Sequence, residues 1–135
     1  MSTNQILTTA TAGVGAITKG YIVQVTARNS NGTPTCSIAT DGTIGTGQSL
    51  LGIAAESCAS GVLFSVVISG VVDYAVMGVA LVLQPDTNSG NALTTGAAGK
   101  LRVATLGTDQ VVCKLINLSD GTGADLDHCS VVMGG

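Results

Sequence analysis

From Val62 the chain alternates. Val62, Phe64, Val66 and Ile68 are all apolar, whereas Leu63, Ser65, Val67 and Ser69 mix aliphatic with small polar side chains. That period of two predicts a half-buried strand, because successive strand residues point to opposite faces. The surrounding apolar stretch, Leu50 to Leu83, is dense in Val and Ile, which lose rotamer freedom in helices and suit a pleated surface. Gly52, Gly61, Gly70 and Gly78 punctuate it where turns or bulges would fall, so it predicts an array of hairpins. The same alternation starts earlier, with Tyr21, Val23, Val25 and Ala27 on one side and Gln24, Thr26 and Arg28 on the other. Asn29 to Gly32 then turns the chain, Thr33 to Thr40 returns as a strand, Asp41 to Gly47 is a loop, and Leu50 to Ala55 begins the next strand. Further on, strands are predicted at Val79 to Gln84, Lys100 to Thr105, Val111 to Leu118 and His128 to Met133. They are separated by a loop from Pro85 to Gly90, a turn at Gly107 to Asp109 and a turn at Ser119 to Gly123.

These segments echo one another. GYIVQVTA from Gly20 resembles GVALVLQ from Gly78, GTPTCSIAT from Gly32 resembles AGKLRVAT from Ala98, and SVVISG from Ser65 resembles SVVMGG from Ser130. Residues 17–72 and 73–135 therefore read as two diverged β repeats. Each is too small to bury its own faces, and together they are expected to form one all-β domain, a small barrel or sandwich spanning 17–135. Residues 1–16, Thr-, Ala- and Gly-rich with no amphipathic stripe, read as an extended N-terminal arm. Its Ile6-Leu7 pair and Thr8 and Thr9 suit it to add to the edge of a neighbouring sheet.

Composition narrows the function. Of 135 residues 45% are hydrophobic but only 2% aromatic and 10% charged, so the core rests on aliphatic side chains and the surface is unusually neutral. A thin core under such a surface predicts a homo-oligomer, in which neighbouring chains supply part of the burial. Five scattered basic residues and a net charge of -3 argue against a nucleic-acid partner, which needs clustered Lys and Arg. Val62 to Leu83 is long enough to span a bilayer, but Asp73 near its centre, the lack of flanking basic clusters and the strand period argue against a membrane segment. The first residues lack the basic start and apolar run of a signal peptide, so synthesis and residence in the cytoplasm are expected, and Cys36, Cys58, Cys113 and Cys129 are expected as reduced thiols. Cys36 and Cys129 fall on the apolar phase of their strands and are predicted to be buried.

No chemistry stands out. Gly96 to Leu101 resembles a phosphate loop superficially, yet Thr94 stands where the first glycine is required and Leu101 where the hydroxyl should be, so it reads as a turn. In Asp127-His128-Cys129, neighbours on a strand face opposite ways, so the imidazole and thiol are not expected to pair. Asp120, Asp125 and Asp127 match no standard calcium loop and read as a solvated acidic turn. With one His, no C-x-x-C pair and no paired carboxylates, no catalytic residue, no metal site and no cofactor is expected, and the chain is not expected to be an enzyme.

One resemblance rests on particular residues. Leu51-Gly52-Ile53-Ala54-Ala55, the small-residue turn Glu56 to Gly61, Val66-Val67-Ile68-Ser69-Gly70 and Leu93 to Thr105 follow in an order that resembles the cement, or head-decoration, proteins of tailed bacteriophages. Cys113-Lys114-Leu115 departs from it where a second Gly-Ile-Ala phrase is expected, as does the tail with Asp125, Asp127 and His128. The resemblance implies a non-enzymatic virion protein, a trimer, that binds the major capsid protein on the outer face of an icosahedral head and reinforces it. Under that reading the arm residues Ile6, Leu7, Thr8 and Thr9 and the loop residues Asp41, Thr43 and Ile44 are the expected capsid contacts. The alternative, a carbohydrate- or receptor-binding β module, would need aromatic platforms, and only Tyr21, Tyr74 and Phe64 are on offer.

Overall fold

The computed structural model describes residues 5–28, 32–40, 49–78, 92–105, 107–118 and 128–133. Within these lie nine strands: β1 (Ile6–Ala12), β2 (Ile22–Arg28), β3 (Pro34–Ile38), β4 (Ser49–Ala54), β5 (Leu63–Val76), β6 (Ala92–Thr95), β7 (Leu101–Val103), β8 (Cys113–Leu118) and β9 (His128–Met133). The protein is all-β, as the alternation predicts. The order across the sheet is β1-β3-β2-β4-β5-β9-β8-β6-β7, and an added pairing of β1 with β5 closes the first five strands into a barrel.

Strand β5 joins two rings. Its first half pairs with β1 (Thr8 opposite Val66, Ala10 opposite Phe64) and with β4 (Ile53 opposite Val67). Its second half pairs with β9, Val72 opposite Val131 and Ala75 opposite Cys129. The change falls at Ile68 to Gly70. There the register with β1 slips, and Gly70 takes a φ of 106°, a left-handed conformation that glycine adopts without steric cost. From β9 the second ring runs through β8 and β6 to β7, and a parallel bridge between Met77 and Leu101 returns it to the end of β5.

Both rings are wired alike. In each, the second and third strands form an antiparallel pair, the second also pairs with the fourth, the fourth with the fifth, the fifth with the first, and the first lies parallel to the third. Single bonds match too. The Gly13 N–H donates to the Cys36 carbonyl at 2.8 Å and that of Gly78 to Leu101 at 2.9 Å, while Ala39 N–H donates to Ile22 and Ala104 N–H to Ala92, both at 2.9 Å. Cys113-Lys114-Leu115 on β8 occupies the place of Gly52-Ile53-Ala54 on β4, with Lys114 opposite Val132 as Ile53 is opposite Val67. By pairing, the two rings meet within β5 near Gly70.

Two cores follow from this arrangement. Ala10, Ala12, Ile17, Val23, Cys36, Ala54, Phe64 and Val66 fill the first barrel. The second core gathers Val72, Met77, Leu93, Leu101, Leu115, Cys129 and Val131 from the second ring with Ile22, Ala39, Ile53 and Val67 from the first, so the rings share buried surface. The turn Ala97–Gly99 seals the junction: a Cβ at Gly99, whose φ is +75°, would lie 2.6 Å from Ile38 Cγ2 and 2.9 Å from the Ile22 carbonyl oxygen.

The main correction to the sequence reading is the arm. Ile6–Ala12 is a strand of the chain's own barrel, flanked by β5 and β3, with Ala10 and Ala12 in the core. Small Ala side chains at the inward positions hid a strand whose alternation with Thr9 and Thr11 is nevertheless present in the sequence. Strand β6 was also not anticipated, because all four of its residues are buried and none alternates. The expected turn at Asn29 to Gly32 falls outside the described residues except for Gly32. The expected strand at Val79 to Gln84, the loops Asp41 to Gly47 and Pro85 to Gly90, and the turn Ser119 to Gly123 lie wholly outside them.

Candidate binding surface

No constellation of reactive groups is assembled among the described residues, and no group of three or more His, Cys, Asp or Glu side chains there could hold a metal ion. Asp120, Asp125 and Asp127 fall outside those residues. His128 is exposed and Cys129 wholly buried, the opposite-face arrangement expected of strand neighbours. The turn around Lys100 is a packing element: Gly96 N–H donates to the Lys100 carbonyl at 2.7 Å, and Gly99 lies against the first ring. All four cysteines are free thiols. Burial pushes Cys36 and Cys129 up to about 11 from the ordinary thiol value of 9.0, and Cys113 higher still, which suits core packing rather than nucleophilic work.

One ion pair went unforeseen. The Arg102 guanidinium grips the Asp109 carboxylate through two bonds of 2.7 and 3.1 Å, and the same carboxylate accepts the Thr105 N–H at 2.8 Å. Asp109 is 5% exposed. The pair clamps the turn after β7, where Thr108 and Asp109 N–H groups donate to the Thr105 carbonyl, so its role is structural.

What the fold does assemble is an uncharged surface on β1 and the first half of β5. From Gln5 to Thr18 and from Ser57 to Val72 there is no carboxylate, ammonium, guanidinium or imidazole. Five of the eight exposed large apolar side chains among the described residues lie on these two segments: Ile6, Leu7, Val14, Val62 and Leu63. They divide into two groups. Ile6 (57% exposed) and Leu7 (47%) stand at the start of β1, beside Ser69 and Val67 of β5. Val14, Val62 and Leu63 stand at the far end, roughly 20 Å away at a rise of about 3.3 Å per strand residue. There the loops 13–16 and 59–62 run side by side. Ala12 and Val62 share a 2.9 Å bond, Gly61 N–H donates to the Ala12 carbonyl at 2.8 Å, and the Ser60 hydroxyl donates to the Gly13 carbonyl.

Of the capsid contacts expected from sequence, Ile6, Leu7 and Thr9 are exposed and Thr8 is half-buried, whereas Asp41, Thr43 and Ile44 lie outside the described residues. The edge of β1 away from β5 is only partly used. Pairing with β3 covers Thr11 and Ala12 alone, and among the described residues no strand pairs with that edge from Ile6 to Ala10. Near the same end, Gln5 Nε2 donates to the Val71 carbonyl at 2.8 Å, and Lys19 Nζ stands 4.5 Å from the centre of the Tyr74 ring. Burial raises the Tyr74 hydroxyl above its ordinary value, and the neighbouring Asp73 charge adds to that rise.

This architecture of one closed barrel and a second ring on a shared strand has a solved counterpart. The N-terminal base of the head fibre protein gp8.5 of bacteriophage phi29 superposes with a TM-score of 0.63, over 96% of this chain and 94% of that one. The fold of this chain resembles that of the head-fibre base. Sequence identity is 14%, so the likeness is one of fold. No family model and no curated protein matches the chain.

Proposed function

We propose that this chain is a structural protein of a tailed-phage virion. In this reading it sits on the outer face of the capsid, binds the major capsid protein and reinforces the head, without catalysis or cofactor. The observation that carries the reading is the match over nearly the whole chain to a protein whose solved form is the base of a phage head fibre. The order of small-residue phrases resembling decoration proteins points the same way, as does an exposed, uncharged strand surface. Capsid contact is assigned to the start of β1: Ile6 and Leu7 offer apolar anchors, and the main-chain edge at Ile6 to Ala10, unpaired on that side among the described residues, offers hydrogen bonds to an extended capsid segment, with Thr8 and Thr9 alongside. The loop Asp41 to Gly47 is the second proposed contact. The decorating unit is a homo-oligomer, with a trimer favoured by the resemblance.

Heads of the cognate phage lacking this protein provide the test. Added protein should decorate them at saturable occupancy in electron micrographs and raise the temperature at which filled heads release DNA. Paired Ile6→Asp and Leu7→Asp substitutions should cut occupancy at least about tenfold, the loss expected when two apolar anchors worth ~1.5 kcal/mol or more are removed. Absence of decoration by the wild-type protein would overturn the proposal.

A further inference from the structure

We infer that Lys114 closes the outer face of the second ring to a further ring, and so keeps copies of this chain from stacking head to tail. The wiring of the two rings defines that face. In the first ring, Ile53 stands between Val67 and Ile22, and beyond Val67 lies Leu7. In the second, Lys114 stands between Val132 and Ala92, and beyond Val132 lies Val71. The first row is the seat of the second ring: Ile22, Ile53 and Val67 are wholly buried in the shared core, and Ile38 at its margin lies against the turn at Gly99. The second row is open at its centre, where Lys114 is exposed and Val71 and Val132 are half-buried. Its margin is open too. Val103, opposite Leu93 as Ile38 is opposite Val23, is 43% exposed. Ile116, which follows Leu115 as Ala55 follows Ala54, is 44% exposed, whereas Ala55 packs on the shared core.

The face is thus a second version of a surface that already holds a ring, with its apolar margin kept and its centre changed from Ile to Lys. Stacked repeats have to end their series, and a polar group on the last outer face is how they do it. Lys114 supplies that group. A ring seated there as the second ring is seated on Ile53 would bury an ammonium among aliphatic side chains, because Val72, Met77, Leu93 and the other members of the core around Ile53 bring no carboxylate. Position is what gives one charge this effect: at the rim it would stay hydrated, whereas at the centre it has to lose its water. The relation between the rings is head to tail. The turn of the second packs on Ile22 and Ile38 of the first, while the first ring's corresponding end is exposed at Arg28 and Gly32. Contacts of that kind repeat without closing on themselves, so an apolar residue at Lys114 would favour filaments over a unit of fixed size.

The protein alone is enough for the test, so its result is independent of whether heads are decorated. The K114I variant carries the side chain that the first ring has at the equivalent place. In sedimentation equilibrium its mass should climb with concentration above that of the wild type, whatever multiple of the single chain the wild type forms, with association strengthened at least about tenfold. K114M, uncharged but unbranched, should do the same, and K114R, which keeps the charge, should match the wild type. Adding V103D to K114I should return the mass to the wild-type value, because it puts a charge back on the same face, and circular dichroism should keep the strand signal throughout. If K114I and K114M both hold the wild-type mass up to about 0.5 mM, the inference is overturned. Association that K114R shares, or that V103D leaves unchanged, overturns it as well, since the contact then lies elsewhere.

Discussion

Cys36, Cys113 and Cys129 stand at inward strand positions with 0%, 3% and 0% exposure, where a thiol is a small apolar group and its ionised form is penalised. The sign for stability follows from linkage. Below the ordinary thiol value of 9.0 both folded and unfolded chains keep these protons. Above it the unfolded chain ionises while folded Cys36 and Cys129 resist up to about 11, so stability is lost as pH rises through that window. Thermal midpoints should therefore hold from pH 7 to 8.5 and fall between pH 9 and 11, with a slope approaching ~1.4 kcal/mol per pH unit for each resistant thiol. Replacing Cys36 and Cys129 by Val or Ala should flatten that fall, and an equal slope in the variant would assign the loss elsewhere. Cys58, half-buried at the loop beside Ile17, should react first with a thiol reagent at pH 8.

At the scale of elements, β1 bears most on how the protein can be altered. It closes the first barrel, contributes Ala10 and Ala12 to its core and pairs with β5 over six residues, from Ile6 to Thr11. An arm could be removed without harm, but a closing strand cannot. Deleting residues 1–16 leaves β5 and β3 each with an unpaired edge and opens the interior at Phe64 and Val66. The truncated chain should lose the native near-ultraviolet signal or unfold at least ~3 kcal/mol more easily in urea, in line with losing several buried side chains and a ladder of hydrogen bonds. A truncation that melts like the full chain would show that the barrel closes without β1. Capsid contacts at Ile6 and Leu7 therefore have to be probed by substitution, as both side chains project from the strand into solvent.

For the molecule as a whole, the shared strand and the shared core predict that both rings unfold together. Strand β5 is 14 residues long and serves each ring in turn, and Ile22, Ile53 and Val67 of the first ring are buried in the core of the second. Gly99 is the place to perturb that union. An Ala there would need a left-handed backbone at +75° and would press its methyl on Ile38 and on the Ile22 carbonyl. Gly99→Ala should cost about 1 to 3 kcal/mol and lower the midpoint of a single calorimetric transition by several degrees. If the variant splits the transition in two, the rings are separately stable and the junction is weaker than its burial implies.

Alternation in Val62 to Ser69, Tyr21 to Arg28 and His128 to Met133, and turn chemistry at Gly107 to Asp109, carried enough local information to place strands and an all-β fold. These signals depend only on which side of a pleat each residue faces, and that is written in a few neighbours. Cys113-Lys114-Leu115 reads in sequence as a departure from a second Gly-Ile-Ala phrase, and it is the strand pairing that sets it in the place Gly52-Ile53-Ala54 holds in the first ring. Other features depend on residues far apart in the chain. That Thr9-Ala10-Thr11-Ala12 is a closing strand rather than an arm is decided by Phe64 and Val66 waiting opposite it. That Gly70 continues a strand instead of turning it is decided by two ring cores pulling on either side. The exposed end at Val14, Val62 and Leu63 was equally invisible in sequence. Each residue reads as ordinary strand or loop material, and only closure of the barrel brings Gly13 beside Ser60 and leaves each of these apolar side chains exposed at that end.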